Sequence, residues 1–207
     1  VILNLVDNYP EMDEIHLEEN LIAILDKIAE IKRSMLWKIS ETYSLTPLQI
    51  QILLFIKRCE EYKKVNSTDI VKELYVSKAT ASSAVKTLLK KGMLKKNVNS
   101  NDNRSYYLSI PKKAGFIITQ IEQTTHTMQR YLTQIDKNDK RVAFGVLIRM
   151  VKAMQDDGAI DYIALCINCE HCKQLSGNTF MCSFTKRTFK YDGINIGCCN
   201  FADKKII

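Results

Sequence analysis

Six of the seven cysteines in this 207-residue chain lie in its last 45 residues: Cys166, Cys169, Cys172, Cys182, Cys198 and Cys199. The first three follow a C-x2-C-x2-C spacing, Cys182 comes after nine more residues, and Cys198 after a further fifteen. Thiolates two residues apart on a tight turn aim at a common point, which is the arrangement a soft metal centre requires. The stretch has few large apolar side chains and cannot build a stable core unaided. Something must staple it. Disulfides are disfavoured in a reducing compartment, so metal ligation is the expected staple. Cys166, Cys169, Cys172, Cys182 and Cys198 are the candidate ligands.

Two metals suit this set differently. Zinc takes four ligands from separated knuckles, and Cys169, Cys172, Cys182 and Cys198 would serve, leaving Cys166 and Cys199 spare. Overlapping C-x2-C-x2-C with one remote cysteine is closer to half of a ferredoxin motif, and an iron–sulfur cluster is the preferred reading. The fourth cysteine is not where a ferredoxin places it and no Cys-Pro follows, so zinc stands as the alternative and free redox-active thiols as a third. His171 sits inside the motif as an exposed residue, a supporting hydrogen-bond donor or an alternative ligand. Cys59, far upstream, reads as a small buried filler. A hairpin over Thr179–Phe184 and Thr188–Tyr191 would return Cys182 to the others.

A second chemistry is written between Asn66 and Gly115. Ile70, Val71 and Leu74 mark a short helix that Ser67 or Thr68 can cap. Ser77 can cap a second helix running to about Lys91. Its inward face is Ala81, Ala84, Val85 and Leu88, recurring at three- and four-residue steps. Its other face carries Lys78, Ser82, Ser83, Lys86 and Lys90. Small polar side chains allow close approach, hydroxyls bond phosphates or base edges, and lysines neutralise phosphate, so this face suits a DNA major groove. Gly92 stops the helix in the left-handed conformation. Met93–Val98 and Tyr106–Ile110 then form a hairpin whose polar tip, Asn99 to Arg104, is rich in turn formers. Two helices and a basic hairpin make a winged helix-turn-helix.

These residues resemble the MarR family of transcriptional regulators. The resemblance runs over about residues 12–157. It is carried by Leu45-Thr-Pro-Leu-Gln-Ile-Gln-Ile-Leu, by the helix from Ser77 to Gly92, by Asp102-Asn-Arg-Ser in the wing, and by Leu108-Ser-Ile-Pro-Lys-Lys-Ala-Gly115. Pro111 departs from the family pattern at the cap of the following helix. The resemblance implies a mainly α fold with a small β-wing, a homodimer, and a palindromic double-stranded DNA operator read by two recognition helices one turn apart. Lys78, Ser82, Ser83 and Lys86 would face the major groove and Arg104 the minor groove, with Asp102 orienting the guanidinium. The family's pocket between dimer helices and winged helix adds a possible small-molecule effector.

The elements that must position these residues follow a helical pattern. Glu11–Thr42 carries Leu21, Ile24, Ile28, Ile31, Met35 and Ile39 near a heptad seam, as a dimerisation helix would. Thr46 and Pro47 start a helix with Leu48, Ile52, Leu53 and Ile56 inward. Lys113–Gln134 carries Phe116, Ile117, Ile121, Met128 and Leu132. Val142–Gln155 carries Val146, Leu147, Met150, Val151 and Met154. The expected organisation is therefore residues 1–160 as a winged-helix dimer domain, with its DNA-binding core at 45–115 and dimerisation helices at 11–42 and 113–157. Residues 161–207 form a small cysteine-rich α+β or irregular module. The short link from Gly158 to Ile163 would couple the two.

Charge agrees with this division. Between Lys57 and Lys113 there are 14 Lys and Arg against 5 Asp and Glu, so the formal +7 of the chain is concentrated there and the remainder is slightly acidic. No targeting segment is read at the acidic N-terminus, and uninterrupted apolar runs such as Ile52–Ile56 are far too short to cross a bilayer. A cytoplasmic protein without a membrane partner is expected. His16 and His126 have no companions to complete a triad or metal set. With seven glycines there is no G-x-G-x-x-G or phosphate loop, and no nucleophile elbow, HExxH or C-x3-C-x2-C motif, so an enzyme is not expected. Two functions compete: a regulator whose metal centre senses redox state, oxygen or metal supply, and one whose metal module is purely structural.

Overall fold

The computed structural model describes residues 14–99, 102–160 and 163–204; the side chains of residues 99 and 102–105 lie outside that description. Backbone contacts divide the chain into two compact units, Val1–Pro47 and Leu48–Ile207.

The first unit is dominated by α1, Glu14–Tyr43; residues 11–13 of the expected helix lie outside the described residues. Leu21, Ile24, Ile28 and Ile31 on its seam are all exposed, between 45 and 52%. Ser44 takes a left-handed φ of 51°, and the Leu45 N–H donates to the Ser40 carbonyl at 2.9 Å, closing the helix end.

In the second unit α2, Pro47–Cys59, buries Ile50, Ile52, Leu53, Phe55, Ile56 and Cys59. This is broader than the single stripe expected, and Leu48 is only half-buried. Then α3, Ser67–Leu74, is capped by Asn66, which corrects the expected Ser67 or Thr68. The Thr68 and Asp69 N–H groups donate to Asn66 Oδ1 at 2.9 and 3.0 Å, and the Asn66 N–H donates to Asp69 Oδ2 at 2.9 Å. The reciprocal pair satisfies three backbone donors at once, which neither hydroxyl could do.

Tyr75 ends α3 in the left-handed conformation, and Ser77 caps α4, Lys78–Lys90, by accepting from the Thr80 N–H at 3.1 Å. Ala81, Ala84, Val85 and Leu88 are its buried residues, as periodicity predicts. Gly92 follows at φ 65°, the conformation that favours glycine. The wing pairs β1, Lys95–Asn99, antiparallel with β2, Asp102–Ser109. Its second strand starts earlier and its tip is shorter than expected. On an exposed ribbon the ladder continues through polar residues that carry no apolar alternation. Leu108 also bridges to Val65.

Pro111 precedes a single 3-10 turn with no side-chain cap, so α5 starts at Gly115 and ends at Leu132. The last long helix, α6, spans Lys137–Asp156. It begins five residues before the expected Val142, because Asp136 caps a polar first turn that shows no periodicity. Its carboxyl is held below the usual carboxylate range chiefly by the Asn138 N–H.

The cysteine-rich segment forms an antiparallel sheet of β3, Cys172–Ser176, β4, Thr179–Cys182, and β5, Thr188–Lys190, in that order. The expected hairpin is β4–β5; β3 is an added strand. The segment is not stapled by its cysteines alone. Leu165, Cys169, Cys172, Phe189 and Ile194 share one apolar cluster with Ile148 of α6, with Phe144 and Val151 packed against it. Arg141 of α6 adds an ion pair to Asp192 at 2.7 Å.

The Asn66 capping box predicts a measurable cost. Asn66→Ala should lower unfolding free energy by about 1 kcal/mol, read as a shift in the urea midpoint with unchanged slope. Ser67→Ala should leave the α3 cap intact.

Candidate functional site

The face of α4 opposite Ala81, Ala84, Val85 and Leu88 is open. Lys78, Ser82, Ser83, Lys86 and Lys90 are all exposed. Lys78, Ser82, Lys86 and Lys90 follow one another at four-residue steps, so they form a single line along the helix. None of these side chains is buried, and the line is cationic apart from the Ser82 hydroxyl, with Ser83 beside it.

The wing is fixed to the body at its base. The Tyr106 hydroxyl lies 3.0 Å from the Ser67 hydroxyl at the start of α3. Lys96 stands 3.8 Å over the Tyr106 ring, and Lys64 stands 4.9 Å over Tyr107. Asn97 Nδ2 donates to Ser109 Oγ at 2.8 Å across the ribbon. The lysines thus keep their charged heads at the surface while the aromatic rings hold them in place. Arg104 lies on β2, with its side chain outside the described residues.

Residues 43–105 match the MarR family model. Among solved structures, the chain is similar to the YusO protein from Bacillus subtilis at 16% identity, covering 69% of this chain and 99% of that one, with a TM-score of 0.50. It is also similar to S. aureus MepR in a MepR–DNA complex (16% identity, 64% and 98% coverage, TM-score 0.48). The transcriptional regulator Tm0710 from Thermotoga maritima is a further similar structure (20% identity, 69% and 99% coverage, TM-score 0.44). No curated protein sequence matches. The likeness to YusO establishes the fold, a MarR-like winged helix, and the family match spans α2, α3 and α4 into the wing.

The cysteines of the C-terminal segment lie beyond the MarR match. Five of them, Cys166, Cys169, Cys172, Cys182 and Cys198, are free thiols. All five line one small cavity of about 20 Å³, together with His171, Phe184 and Phe189. The backbone explains the convergence. The N–H of Cys169 donates to the Cys166 carbonyl and that of Cys172 to the Cys169 carbonyl, two successive tight turns. Cys172 and Cys182 are directly opposed across the β3–β4 ladder. Cys198 is brought in because the Cys166 N–H donates to the Asn195 carbonyl at 3.1 Å and the Gly197 N–H to the Ala164 carbonyl at 2.9 Å. Among the described residues, no three His, Cys, Asp or Glu side chains stand in position to grip an ion as they are now arranged.

The thiols differ in character. Burial pushes Cys166 and Cys172 up, and neighbouring cysteines add to it. For Cys182 burial also opposes the thiolate, but the Thr185 hydroxyl and the Thr185 and Phe184 amides outweigh it and bring the thiol below its ordinary range. The Thr185 N–H lies 3.5 Å from Cys182 Sγ. His171 is half-buried at the cavity, its ring 5.6 Å from Phe184, so it is not simply an exposed residue.

The sequence reading of Cys59 is corrected. Cys59 is disulfide-bonded to Cys199, with Cα atoms 5.4 Å apart and 140 residues between them in sequence. It is not a filler, and Cys199 is not a spare thiol. Nothing in spacing or periodicity marks this pair: Cys59 stands on the buried side of α2 like any small apolar residue. His16 and His126 remain on exposed helix surfaces, near Glu19 and Gln129 respectively.

Proposed function

We propose that this protein is a DNA-binding transcriptional regulator that acts as a homodimer. The observation that carries the reading is the exposed Lys78–Ser82–Lys86–Lys90 line, with Ser83 beside it, on a helix whose opposite face is fully buried. The MarR match over residues 43–105 supports the same reading. Lys78, Ser82, Ser83 and Lys86 meet the major groove, and Arg104 meets the minor groove beside it. The dimer reading rests on apolar side chains left in water. On α1 these are Leu21, Ile24, Ile28 and Ile31; on α6 they are Val142, Val146 and Met150. Exposed stripes of this size mark an interaction surface, and a second copy would cover them. No helix among the described residues is long and apolar enough to cross a membrane.

Cys166, Cys169, Cys172, Cys182 and Cys198 supply the ligands of one metal centre in this reading. Five thiols around one cavity support it. The C-x2-C-x2-C spacing with remote cysteines favours an iron–sulfur cluster, and zinc held by four of the thiols is the alternative. Metal would displace the thiol protons, and its binding would couple to the folding of residues 163–204.

DNA contact is tested with a duplex selected by the protein from a random-sequence pool. Arg104→Ala should weaken binding by about 1–3 kcal/mol, and Lys86→Ala should reduce the salt slope by about 1. Unchanged affinity and slope in both variants would reject the assignment. Ile28→Glu should dissociate the dimer in sedimentation at micromolar concentration; a wild-type monomer there would reject the dimer. Anaerobic purification with metal analysis and visible absorbance tests the centre: colourless protein with stoichiometric zinc gives the single ion, and iron with sulfide and a visible band gives the cluster. Full metal content in Cys169→Ser and Cys172→Ser would overturn the ligand set.

A further inference from the structure

The Cys59–Cys199 bond is the covalent end of a larger contact. Residues 195–203 of the cysteine-rich segment run between two neighbours. On one side they pair with residues 164–166 through the Leu165–Ile196 bridge and the hydrogen bonds of Cys166 and Gly197. On the other they lie against α2 and α3. Gly197 has a φ of 69°, and a Cβ there would meet Glu73 Oε1 at 3.0 Å and both Arg58 Nη atoms at 3.1 Å. Arg58 and Glu73 are themselves an ion pair joining α2 to α3. Beside this contact is a cleft of about 640 Å³, lined by Val71, Lys72 and Tyr75 on the α3 side and by Cys198, Cys199 and Phe201 on the other.

Two details make the bond a site for exchange. Cys59 is fully buried, whereas Cys199 is partly exposed and lines the cleft. An incoming thiolate therefore reaches the Cys199 sulfur and not the Cys59 sulfur. Cys198, the next residue, lines the thiol cavity as well as the cleft. One short segment thus touches the thiol cavity, the covalent bond and the helix that leads through Tyr75–Ser77 into the recognition helix.

We propose that Cys59–Cys199 is a thiol–disulfide exchange site for a dithiol reductant, and that its opening loosens the α3–α4 unit and so weakens DNA binding. One thiolate of the reductant attacks Cys199 Sγ; the Cys59–Cys199 bond breaks and Cys59 leaves as a thiolate that takes up a proton. The second reductant thiol then attacks its own sulfur in the mixed disulfide and releases Cys199 as a thiol. The reductant is oxidised to its disulfide by two electrons, and the protein gains two thiols. The reverse exchange with the oxidised couple closes the bond. Closed, the bond and the Gly197 contact hold α3 against α2 and keep the recognition helix ordered before it meets DNA, so less order is lost on binding.

This inference rests on the DNA-binding reading only for its last step. The test uses full-length protein, equilibrated with dithiothreitol at graded ratios of reduced to oxidised form. Alkylation and peptide mass spectrometry should show Cys59 and Cys199 becoming labelled together. Over the same titration, amide exchange across residues 67–90 should quicken severalfold. Affinity for the pool-selected duplex should fall by about tenfold. Cys59→Ser without reductant should match the reduced wild type in both readouts. If that variant does not fold, Cys199→Ala replaces it, since it leaves the buried Cys59 in place. Unchanged exchange in α3–α4 on reduction overturns the proposal, as does equal affinity of the two states for a duplex that both bind. If no duplex binds in either state, the DNA-binding reading fails, and the exchange data alone decide whether the bond orders α3–α4.

Discussion

A helix that presents an open polar face must be held firmly from behind by side chains that claim none of its front. In α4 this constraint is met with very little material: two alanines, a valine and a leucine are its whole buried face. Ala81 and Ala84 are both buried, and α4 packs on α3. A larger side chain at either buried position would have to displace its neighbours. The hold is completed by polar devices at the ends: the Ser77 cap, the left-handed turn at Tyr75 and glycine at position 92. Every cationic and hydroxyl side chain on the other face is thereby released from structural duty.

Elements whose causes are local could be read in advance. The four buried positions of α4, the stop at Gly92 and the ribbon after it depend on residues within a turn or two of each other, and periodicity exposes them. Where two local devices competed, the reading went astray. Ser67 and Thr68 are good caps by type, but Asn66 stands one residue earlier with Asp69 placed to return the bond. The wing strands extend further through polar residues than apolar alternation indicates. The start of α6 is a charged turn with no apolar period. Spacing speaks for Cys166, Cys169 and Cys172, whereas Cys182 and Cys198 reach the same cavity through the β3–β4 ladder and the pairing of residues 195–197 with 164–166. The Cys59–Cys199 pair was not legible, because no property of either residue's neighbourhood refers to a partner 140 positions away.

The cysteine-rich segment was also expected to stand on its own staples. Instead it borrows a core. Phe144, Ile148 and Val151 of α6 face its apolar cluster, whereas Val142, Val146 and Met150 of the same helix are exposed. The two sets lie on different sides of one helix, as their offsets at helical spacing require. A single amphipathic stripe would have served one role; α6 carries two. The segment's state and the outward apolar stripe are therefore mechanically joined along the length of a helix, and not only through the short link after Gly158.

The bond between Cys59 and Cys199 closes the backbone into a ring that contains α3, α4, the wing, α5 and α6. A protease that nicks the wing tip would produce no separate fragments until the ring is opened. Synthesis runs in one direction, so Cys59 leaves the ribosome before α3, α4 and the wing, and Cys199 only after them. The α3–α4–wing segment therefore emerges before the bond can form, and the ring closes around chain already synthesised.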